Sequence, residues 1–117
     1  FLKNIETGLK NALVCKSNIF VMPSIIHNKS VEGFGIVYIE AAQYGVPSIG
    51  GKDGGASDAI LHEKTGLICD GNNLEEIYSS IDKMLKDHKY EEYGKEAKKF
   101  SENFYWHKII KSYQKIL

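Results

Sequence analysis

The chain has 117 residues, of which 43% are hydrophobic and 26% are charged, so it has the size and composition of one small globular domain. Its fifteen basic residues, all lysines, balance fifteen acidic residues, which excludes both the basic excess typical of a nucleic-acid surface and any arginine clamp on a phosphate. No apolar run reaches the roughly 18 residues that a membrane-spanning helix needs, which excludes a membrane-spanning segment.

Short apolar runs and helical patterns alternate along the first two thirds of the chain. A first helix is indicated by Leu9, Ala12 and Leu13, with Thr7 as its cap. Nearly continuous apolar runs closed by Pro or Gly predict strands that are buried on both faces, as in parallel sheets. Strands are predicted at 18–22, 47–50 and 66–69, loops at 24–34 and 50–55, a helix at 36–44 and a helical turn at 57–61 capped by Ser57.

The last third is predicted to be helical throughout. Asn72 or Asn73 caps a helix with acidic residues in its first turn and lysines in its last. Its apolar residues recur at the spacing of one helix face: Leu74, Ile77, Tyr78, Ile81, Met84 and Leu85. Two further helices are predicted at 90–104 and 106–117, the second presenting Trp106 to a core.

The order of these elements predicts an α/β fold: a partial, doubly wound, Rossmann-like parallel sheet followed by C-terminal helices. Three strands make half of such a sheet and leave an edge unpaired. The chain also begins without Met. We therefore expect residues 1–117 to be one domain of a longer protein. Cys15 and Cys69 lie far apart without metal-ligand spacing and adjoin apolar residues, so both are expected to be buried thiols in the reducing cytoplasm.

One stretch combines features that suit an extended anionic ligand. It runs from Glu32 to Glu40 and carries Gly33 and Gly35 between a predicted strand and the following helix. Glycines let a ligand approach the backbone, and free N–H groups at a helix start bind diphosphates. The two carboxylates stand roughly 12 Å apart along a helix, too far to share a metal, but each can hold sugar hydroxyls. Glu40 can equally be a solvated helix residue.

The same stretch resembles the E-x7-E motif of the retaining GT-B glycosyltransferases, known as group 1. Further segments match in order and spacing over nearly the whole chain: Ile19–Ser24, Glu32–Ala42, Gly45–Pro47, Gly54–Asp58, Thr65–Leu67 and Phe104–Trp106. The resemblance implies half of the C-terminal, donor-binding domain of the GT-B fold. Asn18 stands where members of that family often have Asp.

The resemblance also assigns roles to residues of the stretch. Glu32, the catalytic candidate, contacts hydroxyls of the transferred sugar, and the amides of Phe34 and Gly35 line the same sugar pocket beside Gly33. Ile36 and Val37 face the diphosphate. Glu40 binds the ribose hydroxyls of the nucleotide. A covalent role for Glu32 as nucleophile remains open.

The reaction implied is transfer of a sugar from a nucleotide-diphosphate donor, with retention at the anomeric carbon and without a metal or other cofactor. The acceptor, a glycan or a lipid-linked molecule, is expected to bind an N-terminal domain outside this chain. Such an enzyme serves polysaccharide biosynthesis in the cytoplasm, with possible docking at the membrane surface. Because the family's Arg and Lys phosphate clamp would also precede Phe1, we expect the isolated chain to be inactive.

Two other classes of function stay open. A GT-B-fold epimerase or phosphorylase would share the nucleotide-sugar site, and a non-enzymatic α/β nucleotide-binding or interaction module would share only the fold. A receiver-like module is disfavoured because Asp53, Asp58 and Asp70 do not form its acidic pocket. The four histidines show no ligand spacing and are assigned no chemistry, and the loop at 50–55 is expected to turn the chain rather than contact a donor.

Overall fold

A three-stranded parallel sheet organises the domain. The computed structural model describes residues 6–23 and 35–104. The strands lie in the order β1-β2-β3, with Val21 beside Ile49 and Ile49 beside Leu67. The elements are α1 (Thr7–Cys15), β1 (Phe20–Met22), α2 (Ile36–Gln43), β2 (Ser48–Gly51), α3 (Ala56–Ala59), β3 (Gly66–Cys69), α4 (Leu74–Leu85) and α5 (Lys89–Ser101), with short 3-10 turns at Lys86–His88 and Glu102–Phe104.

Each face of the sheet is covered by its own hydrophobic cluster. On one face, α2 and α3 contribute a cluster that includes Tyr38 and Ile60. On the other face, Ile49 and Leu67 of the sheet pack with Met84 of α4 and Tyr93 of α5. β2 is buried along its whole length because both faces are covered. The parallel α/β architecture predicted from the sequence is therefore confirmed.

Helix α5 crosses the amino-terminal edge of the sheet. A Cβ atom built on Gly94 of α5 would lie 2.2 Å from the carbonyl oxygen of Gly45, in the turn that precedes β2. This close backbone approach requires glycine at position 94. The helix therefore lies opposite the edge at which Met22, Gly51 and Cys69 end their strands.

Capping differs from the prediction at two helices and agrees at a third. Thr7 and Ser57 lie inside the helices that they were predicted to cap, because the N-cap positions belong to Glu6 and Gly55. At α4, the Asn73 side chain accepts hydrogen bonds from the backbone N–H groups of the next turn, at 3.1 and 3.2 Å, so the predicted cap is confirmed.

Burial was predicted less well than secondary structure. Cys69 is buried, but Cys15 is exposed because α1 has no buried residue among those described. On α4, Met84 enters the core, whereas Leu74 and Tyr78 are 81% and 73% exposed, so half of the predicted apolar face meets solvent. The helix predicted at 106–117 lies outside the described residues.

Candidate functional site

The candidate site lies where α2 begins, at the carboxyl edge of the sheet. In open parallel α/β folds, ligands bind outside the carboxyl ends of the strands. Four of the predicted site residues, Gly35, Ile36, Val37 and Glu40, belong to this region of the described structure. The other three, Glu32, Gly33 and Phe34, lie outside the described residues.

Gly35 is required at the start of α2 for two reasons. Its backbone is left-handed, with φ of 82°, which strains every residue with a side chain. A Cβ atom at this position would also lie 2.7 Å from the Tyr38 ring. Gly35 is the N-cap of the helix, and no side chain among the described residues takes the capping role. The backbone donors of the first turn are therefore left to other partners.

Those donors make the start of α2 suitable for an anion. The N–H groups of Ile36 and Val37 have no partner within the helix, and the helix dipole adds partial positive charge there. The first turn contains no acidic side chain that would compete for them. Ile36 is 65% exposed, so this turn is accessible on its outer side. The arrangement suits a phosphate or diphosphate group.

Tyr38 fastens α2 to the end of β1. Its hydroxyl donates a 2.6 Å hydrogen bond to the Met22 carbonyl oxygen, and its buried ring packs edge-on against Phe20 with centroids 6.1 Å apart. Both contacts fix the helix start relative to the strand end. Tyr38 received no role from the sequence patterns, although a tyrosine between two apolar residues of a helix is a signal that its hydroxyl needs a buried partner.

Glu40 lies on the rim of a cleft between α1 and α2. The cleft has a volume of about 100 Å³, and Val37 and Glu40 both line it. Its other walls are mainly apolar or aromatic: Lys10, Asn11, Val14, Phe20, Ala41 and Tyr44. The structure thus places Val37, in the first turn of α2, and Glu40 on the same cleft.

Lys10 is a second residue that the sequence analysis did not identify. Its Nζ atom lies 3.5 Å from Oε2 of Glu40, and both side chains are about half exposed. The ion pair connects α1 to α2 across the rim of the cleft. Thirty positions separate the two residues along the chain, so no local motif could reveal the pair.

The glycine-rich loop at 50–55 extends the pairing of β2 with β3 at the carboxyl edge of the sheet. Lys52 donates its backbone N–H to the Cys69 carbonyl oxygen at 2.8 Å, and its Nζ atom lies 3.3 Å from Oδ2 of Asp70. A hydrogen bond from the Asn72 backbone N–H and the Lys52 ammonium together hold the pKa of Asp70 below its usual value. These contacts give the loop a structural role at the end of β2 and β3.

The described part of the chain contains neither a metal-ligand cluster nor a membrane-spanning helix. Residues 6–23 and 35–104 contain no cluster of three or more His, Cys, Asp or Glu side chains that could hold a metal ion. Within the same ranges, no helix is long and apolar enough to cross a membrane.

Known proteins resemble this chain in both sequence and fold. The sequence model of the family described as "Glycosyl transferases group 1" matches residues 1–103. A protein of Corynebacterium glutamicum, named as a GDP-mannose-dependent monoacylated alpha-(1-6)-phosphatidylinositol monomannoside mannosyltransferase, is 37% identical over 89 residues, or 74% of this chain and 23% of that protein. A similarly named alpha-(1-6)-phosphatidylinositol monomannoside mannosyltransferase from Mycobacterium tuberculosis is 38% identical over 73 residues, covering 61% of this chain and 19% of that protein.

Solved structures show the same fold at lower sequence identity. Sucrose-phosphate synthase from Thermosynechococcus elongatus superposes with a TM-score of 0.83 and 24% identity, covering 99% of this chain and 28% of that one. Anabaena HepE in complex with UDP and glucose superposes with a TM-score of 0.66 and 22% identity, covering 76% of this chain and 23% of that one. The chain thus spans between about a fifth and just over a quarter of these four proteins.

Proposed function

The chain belongs to the group 1 glycosyltransferase family, and on this premise we propose that it forms the donor-binding part of a retaining enzyme that transfers a sugar from a nucleotide diphosphate to an acceptor. One observation carries the proposal: α2 begins at an exposed N-terminus without a side-chain cap, and Glu40, one turn further along the same helix, lines a cleft together with Val37. The start of α2 can bind an anion, and the Glu40 carboxylate can bind hydroxyls. Their order along the helix matches the order of the diphosphate and the ribose in a nucleotide.

The diphosphate is the part of the donor that α2 binds. The N–H groups of Ile36 and Val37 donate to its oxygens, and the helix dipole stabilises the charge that grows on the leaving diphosphate as the sugar departs. Gly35 permits close approach because no Cβ atom stands at the helix start. Transfer then depends mainly on positioning and on stabilisation of the leaving group, whose oxygen takes the proton of the acceptor hydroxyl.

Glu40 binds the ribose in this proposal. An ionised carboxylate accepts hydrogen bonds from two neighbouring hydroxyls, and the Lys10 ammonium lies 3.5 Å from it on the same cleft. The apolar wall beside it, with Phe20 and Tyr44, suits the flat face of a nucleoside. Glu32, Gly33 and Phe34 are proposed to contact the transferred sugar, with Glu32 nearest to the reacting carbon.

The names of the related proteins limit the classes of donor and acceptor that we propose. The Corynebacterium and Mycobacterium proteins are named as GDP-mannose-dependent, and the HepE structure contains UDP and glucose. We propose a hexose donor carried on GDP or UDP and a glycan or lipid-linked acceptor that binds chain beyond these residues. Since the sequence contains no arginine and spans about a quarter of these relatives, transfer by the 117 residues alone is proposed to be negligible.

An amide NMR titration of the ¹⁵N-labelled chain tests donor binding directly. UDP, GDP and their hexose conjugates are expected to shift the amides of Gly35, Ile36 and Val37 selectively. Glu40→Gln should weaken binding of each nucleotide by about tenfold, the loss expected when a charged hydrogen-bond partner becomes neutral. Glu91→Gln, at an exposed position of α5, is the matched control and should leave the affinity unchanged.

Inorganic pyrophosphate separates the two halves of the proposed site. It should shift Ile36 and Val37 in the wild type and in Glu40→Gln equally, because it has no ribose for Glu40 to hold. If no nucleotide shifts any of these amides at millimolar concentration in a folded chain, the donor site does not exist here. If Glu40→Gln binds nucleotides as tightly as the wild type, Glu40 does not bind the ribose, and the proposed diphosphate site at the helix start is unaffected.

A further inference from the structure

The His62 side chain connects the turn at 61–65 to strand β3. The Ile68 N–H donates a hydrogen bond to Nδ1 of the His62 ring at 2.9 Å. A ring nitrogen accepts a hydrogen bond only while it carries no proton, so the proton of the neutral ring must be on Nε2. Protonation of Nδ1 would turn this acceptor into a donor and break the contact with Ile68.

The turn keeps its shape through bonds between its two ends. The Leu61 N–H donates to the Thr65 hydroxyl at 2.8 Å, and the Thr65 N–H donates to the Leu61 carbonyl oxygen at 2.9 Å. Because both bonds lie within the turn, they fix its shape but not its position beside β3. Its position depends on the contacts that the turn makes with its neighbours.

Glu63 also holds the turn in position, next to the His62 contact. Its N–H donates to the Gly66 carbonyl oxygen at 2.8 Å, and its carboxylate forms an ion pair with Lys83 of α4. The backbone of Glu63 is left-handed, with φ of 63°, which is strained for a residue with a side chain. Loss of the His62 contact would therefore loosen a turn that already contains a strained residue.

Charged groups from the turn and from α4 surround the His62 ring. Glu63 of the turn and Glu76 and Lys83 of α4 line one surface cavity together with His62, whereas β3 contributes the apolar side chains of Leu67 and Ile68. A hydrogen bond from Lys83 and the positive charges of Lys83 and His62 hold the pKa of Glu63 below its usual value. The Glu63 carboxylate is therefore close enough to attract an imidazolium at position 62.

We propose that His62 is a pH-sensitive latch: its neutral ring holds the 61–65 turn against β3 by accepting from Ile68, and protonation releases the turn and directs the imidazolium towards the Glu63 carboxylate. The contact is complete at the alkaline end of the imidazole titration and is lost as pH falls through it, because only the neutral ring accepts the hydrogen bond. Release frees the segment that joins α3 to β3 and leaves the Ile68 N–H to solvent.

Imidazole ¹⁵N NMR and amide hydrogen exchange of the wild-type 117-residue chain test the latch. At pH 8, the His62 ring should carry its proton on Nε2. Between pH 8 and pH 5, the range in which imidazoles change charge, the protection factor of the Ile68 amide should fall by about tenfold, the effect of one lost hydrogen bond. The protection factor of the Asp70 amide, whose acceptor is the Glu76 carboxylate at 3.2 Å, should stay constant.

Substitutions at position 62 separate the acceptor from the titrating ring. His62→Asn supplies an amide oxygen that accepts from the Ile68 N–H but does not titrate, so protection of Ile68 should be equal at pH 8 and pH 5. His62→Leu removes the acceptor, so at pH 8 the Ile68 amide should exchange about tenfold faster than in the wild type. His88→Asn, in the 3-10 turn before α5, is the matched control and should keep the pH dependence of the wild type.

The wild-type measurement needs no variant to fold, and three of its outcomes would overturn the proposal. The first is a His62 ring that has its proton on Nδ1 at pH 8 or stays neutral down to pH 5. The second is constant protection of Ile68 while the ring titrates. The third is an equal loss of protection at Ile68 and Asp70, which would mean that the strand edge opens as a whole rather than that the turn is released. A pH dependence that persists in His62→Asn would also overturn it.

Discussion

Gly94→Ala should destabilise the fold even though it replaces glycine with the best helix former. At an unconstrained helix position, this change stabilises by roughly 0.5–1 kcal/mol. At position 94 the new Cβ atom would lie 2.2 Å from the Gly45 carbonyl oxygen and 3.4 Å from Cδ of Pro47. The carbonyl is backbone and cannot rotate away, so either α5 or the turn before β2 must shift by about 1 Å.

Overpacking of this kind costs roughly 1–3 kcal/mol, and an obstructing backbone atom places the cost at the upper end. After the gain in helix propensity is subtracted, we expect a net loss of about 1–2 kcal/mol in the free energy of unfolding. For a domain of this size, that corresponds to a fall of roughly 4–8 °C in the melting temperature.

Gly8→Ala is the matched control on α1. A Cβ atom at Gly8 would meet no heavy atom within 4 Å, so only the propensity gain remains, up to about 1 kcal/mol. Urea denaturation followed by far-UV circular dichroism gives both values, and the two variants should move in opposite directions. Nucleotide affinity of the folded Gly94→Ala variant should be unchanged, because Gly94 contacts the turn before β2, whereas the donor is proposed to bind at the start of α2. A Gly94→Ala chain as stable as Gly8→Ala would refute the close approach.

Two buried hydroxyls and two thiols provide further tests. Ser48 has a buried hydroxyl without a partner among the described residues, so Ser48→Ala should leave the free energy of unfolding in urea unchanged or slightly raised. Thr65→Val should lower it by about 1–3 kcal/mol because it leaves the Leu61 N–H unpaired. Equal effects of the two substitutions would contradict this reasoning. In thiol labelling, exposed Cys15 should react at once and buried Cys69 only on unfolding. Burial raises the pKa of Cys69, so the folded state holds its proton more tightly and the free energy of unfolding should fall as pH rises through about 9, a slope that Cys69→Ala should reduce.

Local sequence patterns were sufficient to predict those features that residues close together in the chain determine. The apolar run before Pro23 became β1, and the Gly45 and Pro47 signals marked the end of α2. Asn73 was identified as a cap because its partners lie two and three residues away. The E-x7-E spacing pointed to the start of α2, which is an accessible helix N-terminus, whereas the ligand-binding roles of the motif residues stay a prediction.

Contacts between distant residues could not be predicted in this way. The Lys10–Glu40 ion pair and the hydrogen bond from Tyr38 to Met22 depend on how α1, α2 and β1 pack, and the residues concerned are 30 and 16 positions apart. The exposure of Cys15 likewise depends on what lies against α1, which the apolar character of its neighbours does not reveal.

The amino-acid sequence by itself determined the order of strands and helices, the parallel sheet and the family, because periodicity, turn residues and motif spacing are all local properties of the chain. Only the tertiary structure decided which side chains share a surface. It placed Lys10 beside Glu40. It also set the His62 side chain against the Ile68 N–H group and left half of the apolar face of α4 in solvent. The physical reason is that burial and pairing are set by the neighbouring elements that pack against a residue, and those elements come from distant parts of the chain.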